Sequence, residues 1–328
     1  MNSDNYVVVI GGANVDIGGT PYKEPVDNDS NPGRITIAAG GVARNIAHNL
    51  VLLGINVKFI TAIGNDPLGT LIQEDCRSAG IDTSCALIAD DCNSSMYMYI
   101  NDEEGDLQLA VSDMDICSHI TPEYIDEYSD VINGAYAVVA DCNLSSDTLK
   151  RITEICTSPV YVDTVSVNKS SRVLGCLDGL YAIKPNMKEA EIIAGMKIDN
   201  PEDCMKAAEK ILDRGVQNVF ISMVEHGMLA ADRNDMYVAD RYDAHVVSTN
   251  GAGDSAMAAI IWSAMMCDGI ISDREFLNNI SANEFLPLAA HAANAAASIT
   301  ISAGESVNKE LSEQRIVEII TNNNNNIK

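Results

Sequence analysis

Short runs of β-branched and aromatic residues alternate along the chain with longer stretches whose apolar positions recur every three or four residues. YVVVI (6–10), VKFITAI (57–63), YAVVA (136–140), VYVD (160–163), GLYAI (179–183) and NVFIS (218–222) have the length and composition of strands. Segments such as VARNIAHNLVLLG (42–54) carry the helical period and stop at Gly54. This alternation predicts an α/β fold of three layers, a mostly parallel central sheet with helices on both faces. Two stretches interrupt it. Residues 17–38 are rich in Gly, Pro and Asn and end in RITIA, and residues 95–112 read as a hairpin around an acidic turn at Gly105. Together they predict a small separate β-sheet that serves as a lid, a homodimer surface or both. Residues 1–320 then form one domain, and the Asn-rich residues 321–328 a disordered tail.

Polar residues follow the strands in succession: Asn14 and Asp16, then Asp141 and Asn143, Asp163, Lys184 and Asn186, and Ser222. One such residue is an ordinary loop residue. Five strands in a row point to a ligand site, because all loops at the carboxyl ends of parallel strands converge on one edge.

Charge narrows the ligand. The 328 residues hold 21 Lys and Arg against 47 Asp and Glu, a formal charge of −26. A surface this acidic repels phosphate backbones and excludes nucleic acid as a partner, so any phosphate must be met by a local feature. There is no basic leader before YVVVIGG and no apolar run of about 18 residues, so neither secretion nor a membrane span is expected. The nine cysteines are scattered without a C-x-x-C pair, which fits reduced thiols in the cytoplasm better than zinc or disulfides.

The candidate chemistry is concentrated in STNGAGDSA (248–256), between a strand-like and a helical segment. Gly251, Ala252 and Gly253 would leave backbone N–H groups uncovered at the positive end of a helix, a site for an anion. Asp254 in the same turn is either a general base beside that anion or a cap after a glycine turn. AAGGVARNIAHNL (38–50) has Gly40 and Gly41 opening another helix, with Asn45 in its first turns. KPNMKEAE (184–191) puts Asn186 and Glu189 on one side of a helix start, where they either hold a hydrated Mg²⁺ or are simply solvated.

The order and spacing of the GG…RN, KPN…E and NGAGD elements, from VVVIGGANVD to AANAAASITISAG, resemble the ribokinase-like (PfkB) family of carbohydrate and nucleoside kinases. The resemblance implies a mainly parallel sheet with a β-lid and transfer of phosphate from ATP, with Mg²⁺, to a hydroxymethyl group. It implies Asp254 as base and Gly251, Ala252 and Gly253 as anion hole. Asn14, Asp16, Gly40, Gly41 and Asn45 would meet the sugar. Asn186, Ser222, Glu225, Gly227 and Asn294 would meet the nucleotide together with Gly251 and Gly253, and Glu189 with Asn186 the Mg²⁺, through water. Within the family, NYVVVIGGANVDIGG, DSNPGRITIAAGGVARNIAHNLVLLG, AVSDMDICSHITPEYI and VVADCNLS resemble members that act on pseudouridine, a C-linked nucleoside.

Lys169, in VDTVSVNKSS, is either a surface lysine or a contact to substrate or phosphate. Two departures stand out. SMVEHG has Val224 where the family has a glycine near the nucleotide, and Ser248 stands where ribokinases use an aspartate for a monovalent cation, which leaves K⁺ dependence open. The alternatives are a kinase for another nucleoside or for ribose, and a sugar- or nucleoside-binding protein without catalysis. Retention of Asp254 between its glycines and the helix speaks against the last, since binding alone needs no base.

Overall fold

The structure, a computed structural model, describes residues 5–26, 28–102, 104, 107–271 and 284–324. Its strands are β1 (Tyr6–Ile10), β2 (Asn14–Pro21), β3 (Gly33–Gly40), β4 (Asn56–Ile60), β5 (Ala62–Gly64), β6 (Leu87–Ala89) and β7 (Met96–Asn101). They continue with β8 (Leu107–Asp113), β9 (Ala137–Asp141), β10 (Val160–Asp163), β11 (Ala182–Lys184), β12 (Asn218–Ser222), β13 (Met228–Ala231) and β14 (Met236–Ala239). The main sheet has the order β14-β13-β12-β11-β10-β9-β1-β4. It is parallel from β4 through β12 and closes on one side with the antiparallel β13 and β14.

β1 shows why the fold has three layers. Val7 and Val9 enter a core with helices Val42–Leu52, Ala252–Cys267 and Phe285–Ile301, while Val8 and Ile10 enter a second core with Ile116, Leu149 and Ile183. Successive side chains of a strand point to opposite faces, so a run of four buried aliphatics must be covered from both sides. Helix Ala252–Cys267 is buried on every side from Asp254 to Met266, as expected for a helix sandwiched between neighbours.

The two interruptions form the separate sheet β3-β2-β7-β8. Its boundaries are wider than the sequence suggests: β2 already begins at Asn14 and β3 runs to Gly40. The turn expected at Gly105 lies outside the described residues. Pairing of Ile17 with Ile37 and Met98, and of Ile100 with Leu109, puts apolar side chains on one face of this lid. Ile35, Ile37, Met98, Ile100, Leu109 and Val111 are all exposed there. Asp16, Tyr97 and Ser112 alternate with them onto the other face.

Three expectations on elements need correction. The run 57–63 is two strands, because the chain breaks after Ile60 and Ala62–Gly64 pairs with Leu87–Ala89 in a sheet of its own. In 179–183 only Ala182 and Ile183 are strand, since 177–179 is a helical turn. The final helix runs Glu313–Asn324, so the first asparagines of the expected tail continue a helix, and residues 325–328 lie outside the described residues. Among the described residues no helix is long and apolar enough to cross a membrane.

Candidate active site

Gly41 has φ +101 and starts helix Val42–Leu52 where a Cβ would crowd the backbone of Gly12 and Ala13. That helix has no side-chain cap of its own. Asp141, at the end of β9, supplies one: its Oδ2 accepts the N–H groups of Ala43 (3.0 Å) and Gly12 (3.1 Å), and the Asn143 amide (2.8 Å). Burial pushes the Asp141 carboxyl above its ordinary value against these donors. One buried carboxylate thereby fixes the first loop, the glycine turn and the Asn143 strand end.

Asn14 and Asp16 open β2, with Asn14 Nδ2 donating to Asp16 Oδ1 at 2.6 Å. Gly40, at the end of β3, leaves room for no side chain beside the Asp16 carboxylate. Burial raises the Asp16 carboxyl, while the Asn14 bond and the nearby Arg44 pull it down. These residues share one edge, as the sequence predicts.

Helix Ala252–Cys267 starts at Gly251, which has φ +78 and no side-chain cap. The first intrahelical bond runs from Ser255 N–H to Gly251 O (3.0 Å), so the N–H groups before it have no partner in the helix. Asp254 does not cap this helix. It is 8 % exposed, and its Oδ2 accepts the Asn45 amide N–H at 2.8 Å. Burial pushes its carboxyl up to about 7; Asp163 and Asp141 add to the rise, and Asn45 and Lys184 oppose it. A carboxyl near 7 is matched to proton transfer at neutral pH. The structure thus places Asn45 on the candidate base, where the sequence suggested a sugar ligand.

Lys184 and Asp163 stood out in the sequence only as residues that follow strands. They form a buried ion pair (3.0 Å), and a Cβ on Gly253 would come within 3.3 Å of the ammonium, so the Lys184 charge lies directly under the glycine turn. Burial alone would lower this lysine, but Asp163, with Glu189 and Asp254, holds it above its ordinary value.

Asn186 and Glu189 form a reciprocal capping box at helix Met187–Ala194. Glu189 is 6 % exposed and is not a solvated helix start. Its carboxylate accepts the N–H of Asn186 (2.9 Å), the Asn186 amide (2.8 Å) and the Thr164 hydroxyl (2.6 Å).

A cavity of about 480 Å³ adjoins the glycine turn, lined by Asn186, Ser222, Gly227, Gly253 and Asn294 among others. Asn294 donates to the carbonyls of Ala239 (2.8 Å) and Asp240 (3.0 Å), which pins the chain beside the cavity. Glu225, expected to meet the nucleotide, is exposed and lies outside the lining. Val224 does line it, with φ +51, a left-handed conformation that costs a β-branched residue energy and suits the glycine it replaces. A second cavity, about 650 Å³, runs from Ser112 on the lid to Asn143, Lys169 and Arg172. Lys169 is half-buried and donates to Asn143 Oδ1 at 2.6 Å; burial lowers its ammonium.

A family model for the pfkB family carbohydrate kinases matches residues 4–313. Pseudouridine kinase of Escherichia coli (strain K12) is 34% identical over 262 residues, 79% of this chain and 84% of that protein. The uncharacterized sugar kinase YeiI of the same strain is 32% identical over 265 residues, 80% of this chain and 73% of that protein. In fold, the chain matches an Arabidopsis thaliana ribokinase solved with ribose and ATP at a TM-score of 0.81, over 96% of this chain and 98% of that one, with 19% identity.

Proposed function

Because the chain belongs to the pfkB family of carbohydrate kinases and is a phosphotransferase acting on a hydroxyl group, we propose that it phosphorylates the 5′-hydroxyl of pseudouridine with ATP and Mg²⁺. One observation carries the reading: a buried carboxyl held near 7, Asp254, in the first turn of a helix whose N–H groups are uncapped. The 5′-oxygen attacks the γ-phosphorus as its proton passes to Asp254 Oδ1, the oxygen that Asn45 leaves free. The new P–O bond forms as the bond to the β,γ-bridging oxygen breaks, and ADP leaves. Charge on the transferring group is met by the N–H groups of the glycine turn and by Lys184 beneath it.

Asn14 and Asp16 offer acceptors and a donor to ribose hydroxyls. The cavity from Ser112 to Lys169 offers the uracil edge polar partners, including the extra N–H of a C-linked base. A site built to pair one N–H rejects an analogue that lacks it far better than a site that discriminates by bulk. Coupled ADP release with Mg-ATP should therefore give pseudouridine the highest kcat/KM among pseudouridine, uridine, cytidine, adenosine, ribose and fructose. Equal turnover of uridine or ribose would leave a kinase of broader or different specificity, and no turnover of any of them would favour a binding protein.

The donor set fits a Mg²⁺ held through water. Both carboxylate oxygens of Glu189 are taken up by Asn186 in the capping box and one of them also by Thr164, so direct coordination would break these bonds, while the carboxylate faces the Lys184 edge. Among the described residues no cluster of three His, Cys, Asp or Glu is placed to hold a metal alone, which suits an ion carried mainly on substrate phosphates. Bound there, Mg²⁺ would neutralise charge on the β- and γ-phosphates. Glu189→Gln should raise the Mg²⁺ concentration for half-maximal rate several-fold and leave nucleoside KM nearly unchanged. An unaltered Mg²⁺ titration with a lowered Tm would restrict Glu189 to the helix cap.

In the same reading the outer face of the lid is covered by a second copy of the chain. Exposed apolar side chains on three of the four strands, β3, β7 and β8, form an apolar patch of the kind that marks association sites. Sedimentation velocity should show a dimer that Ile37→Asp converts to monomer; a monomeric wild type at micromolar concentration would rule this out.

A further inference from the structure

Arg44 belongs to the GG…RN element, yet its side chain takes no part in the steps above. It is 4 % exposed, on the helix turn that carries Asn45. Its Nη1 donates to Asn45 Oδ1 at 3.0 Å, and its Nη2 forms a short ion pair with Asp75 of helix Pro67–Ser78. Asn45 in turn donates from Nδ2 to Asp254 Oδ2. An unbroken line thus runs Asp75–Arg44–Asn45–Asp254, from a carboxylate with 35% of its side chain exposed to the buried candidate base.

We propose that Arg44, held by Asp75, is a positioning residue that fixes the Asn45 amide so that its N–H group faces Asp254. The argument is one of donor and acceptor inventory. A guanidinium has donors and no acceptor, so only the amide oxygen of Asn45 can face it. With that oxygen committed, the NH₂ group must point at the Asp254 carboxylate. Without Arg44 the amide is free to turn over and set its oxygen against the carboxylate, where it repels the ionised form. The orientation of Asn45 decides which protonation state of the base is favoured, and it leaves Asp254 Oδ1 open toward the substrate.

The surroundings keep Arg44 in this task. His48, one turn further along the helix, is driven down to about 4 by burial and by Arg44 itself, so it stays neutral and does not compete for Asp75. Cys76 also lies against the guanidinium, and burial raises its thiol to about 11, which leaves it uncharged. The groups that face Asp254 come from four other elements: Asn45 on its helix, Asp141 ending β9, Asp163 ending β10 and Lys184 ending β11. Arg44 acts on Asp254 through the first of these.

The proposal rests on Asp254 as the base, and its test separates the two. The Asp254 carboxyl is titrated directly by ¹³C NMR of aspartate-labelled protein, with Asp254→Asn assigning the signal, and the pH profile of kcat/KM is recorded alongside. A hydrogen bond to a charged group contributes about 1.5–3 kcal/mol. Loss of the Asn45 donor in Arg44→Met should therefore move the Asp254 midpoint up by about one pH unit or more, with the acidic limb of kcat/KM moving equally. Arg44→Lys keeps the charge and the pairing with Asp75 and serves where Arg44→Met does not fold. A lone ammonium bound to Asp75 leaves Asn45 free, so the shift should have the same sign. A double-mutant cycle with Asn45→Leu should be non-additive in the midpoint, because both changes remove one interaction. An unchanged Asp254 midpoint in either folded variant, or additive shifts, would overturn the proposal. The titration is readable even if the chain phosphorylates none of the nucleosides tried.

Discussion

Asp254→Asn is expected to lower kcat by on the order of 10²–10⁴-fold, the usual size of a general-base loss, with little change in either KM. The geometry makes this a clean substitution. Asn45 donates to Oδ2, so the new amide must present its oxygen there and turn its NH₂ toward the substrate hydroxyl. A donor then stands where an acceptor is needed, while the glycine turn and Lys184 stay in place. Wild-type kcat/KM should fall as pH drops below about 7 and the carboxyl protonates; the variant should lack this limb. Stability should move the opposite way. The carboxyl binds its proton more tightly in the fold than its ordinary value of 3.8 allows, so its contribution is intact below that pH and is lost as pH rises through about 7. At pH 8 the neutral Asp254→Asn chain should melt above wild type. A variant with near-normal kcat would remove Asp254 from the chemistry.

Gly251→Ala should be nearly as damaging for a different reason. Gly251 has φ +78, and a Cβ there would overlap the Ser306 carbonyl oxygen, with the carbonyl carbon at 2.6 Å. The left-handed conformation costs an L-residue about 1–2 kcal/mol, and the backbone at Ser306 must move as well. That displaces the turn whose N–H groups would face the phosphoryl oxygens; removing one such donor costs about 10²–10³-fold in kcat. A lowered Tm together with that loss is the expected result. Gly253→Ala is the informative contrast. Gly253 has an ordinary helical φ, and the first atom its Cβ meets is the tip of Lys184 at 3.3 Å. This variant should fold with near-normal Tm and lose mainly kcat/KM for ATP. Normal kinetics in Gly251→Ala would show that the turn is no anion site.

That contrast shows where the sequence was legible and where it was not. Strand runs with uniformly apolar texture, such as Val7–Ile10, needed burial on both sides and could be placed from pattern alone. Thr61 hides a break that no periodicity reveals, because Ile60 and Ala62 are equally apolar on either side. In NGAGD the need for a glycine was visible but its position was not: only the fold brings the Ser306 backbone against Gly251. That Glu225 is exposed and lies outside the cavity lining follows from how its turn is placed, a tertiary outcome. Asn186 and Glu189 had the spacing of a capping box in plain view, but the burial of Glu189 against Thr164, 25 residues away, exists only in the fold. The Lys184–Asp163 pair belongs to adjacent parallel strands, and register between β10 and β11 exists only in the fold.

The placement of β1 has a consequence for biosynthesis. β1 is flanked by β4 on one side and by β9 on the other, and the Gly12 N–H bonds a carboxylate 129 residues further along the chain. At ribosomal speeds of about 5–20 residues per second, the nascent chain carries β1, with apolar faces and one edge of unpaired N–H and C=O groups, for on the order of ten seconds. Unpaired edges of this kind are where growing chains associate wrongly, and this one is closed only when β9 emerges. Asn14 and Asp16, the proposed sugar contacts, leave the ribosome early, and the proposed base Asp254 joins them only after three-quarters of the chain has been made. With Asp254 as the proposed base, chemical competence is among the last properties the growing polypeptide acquires.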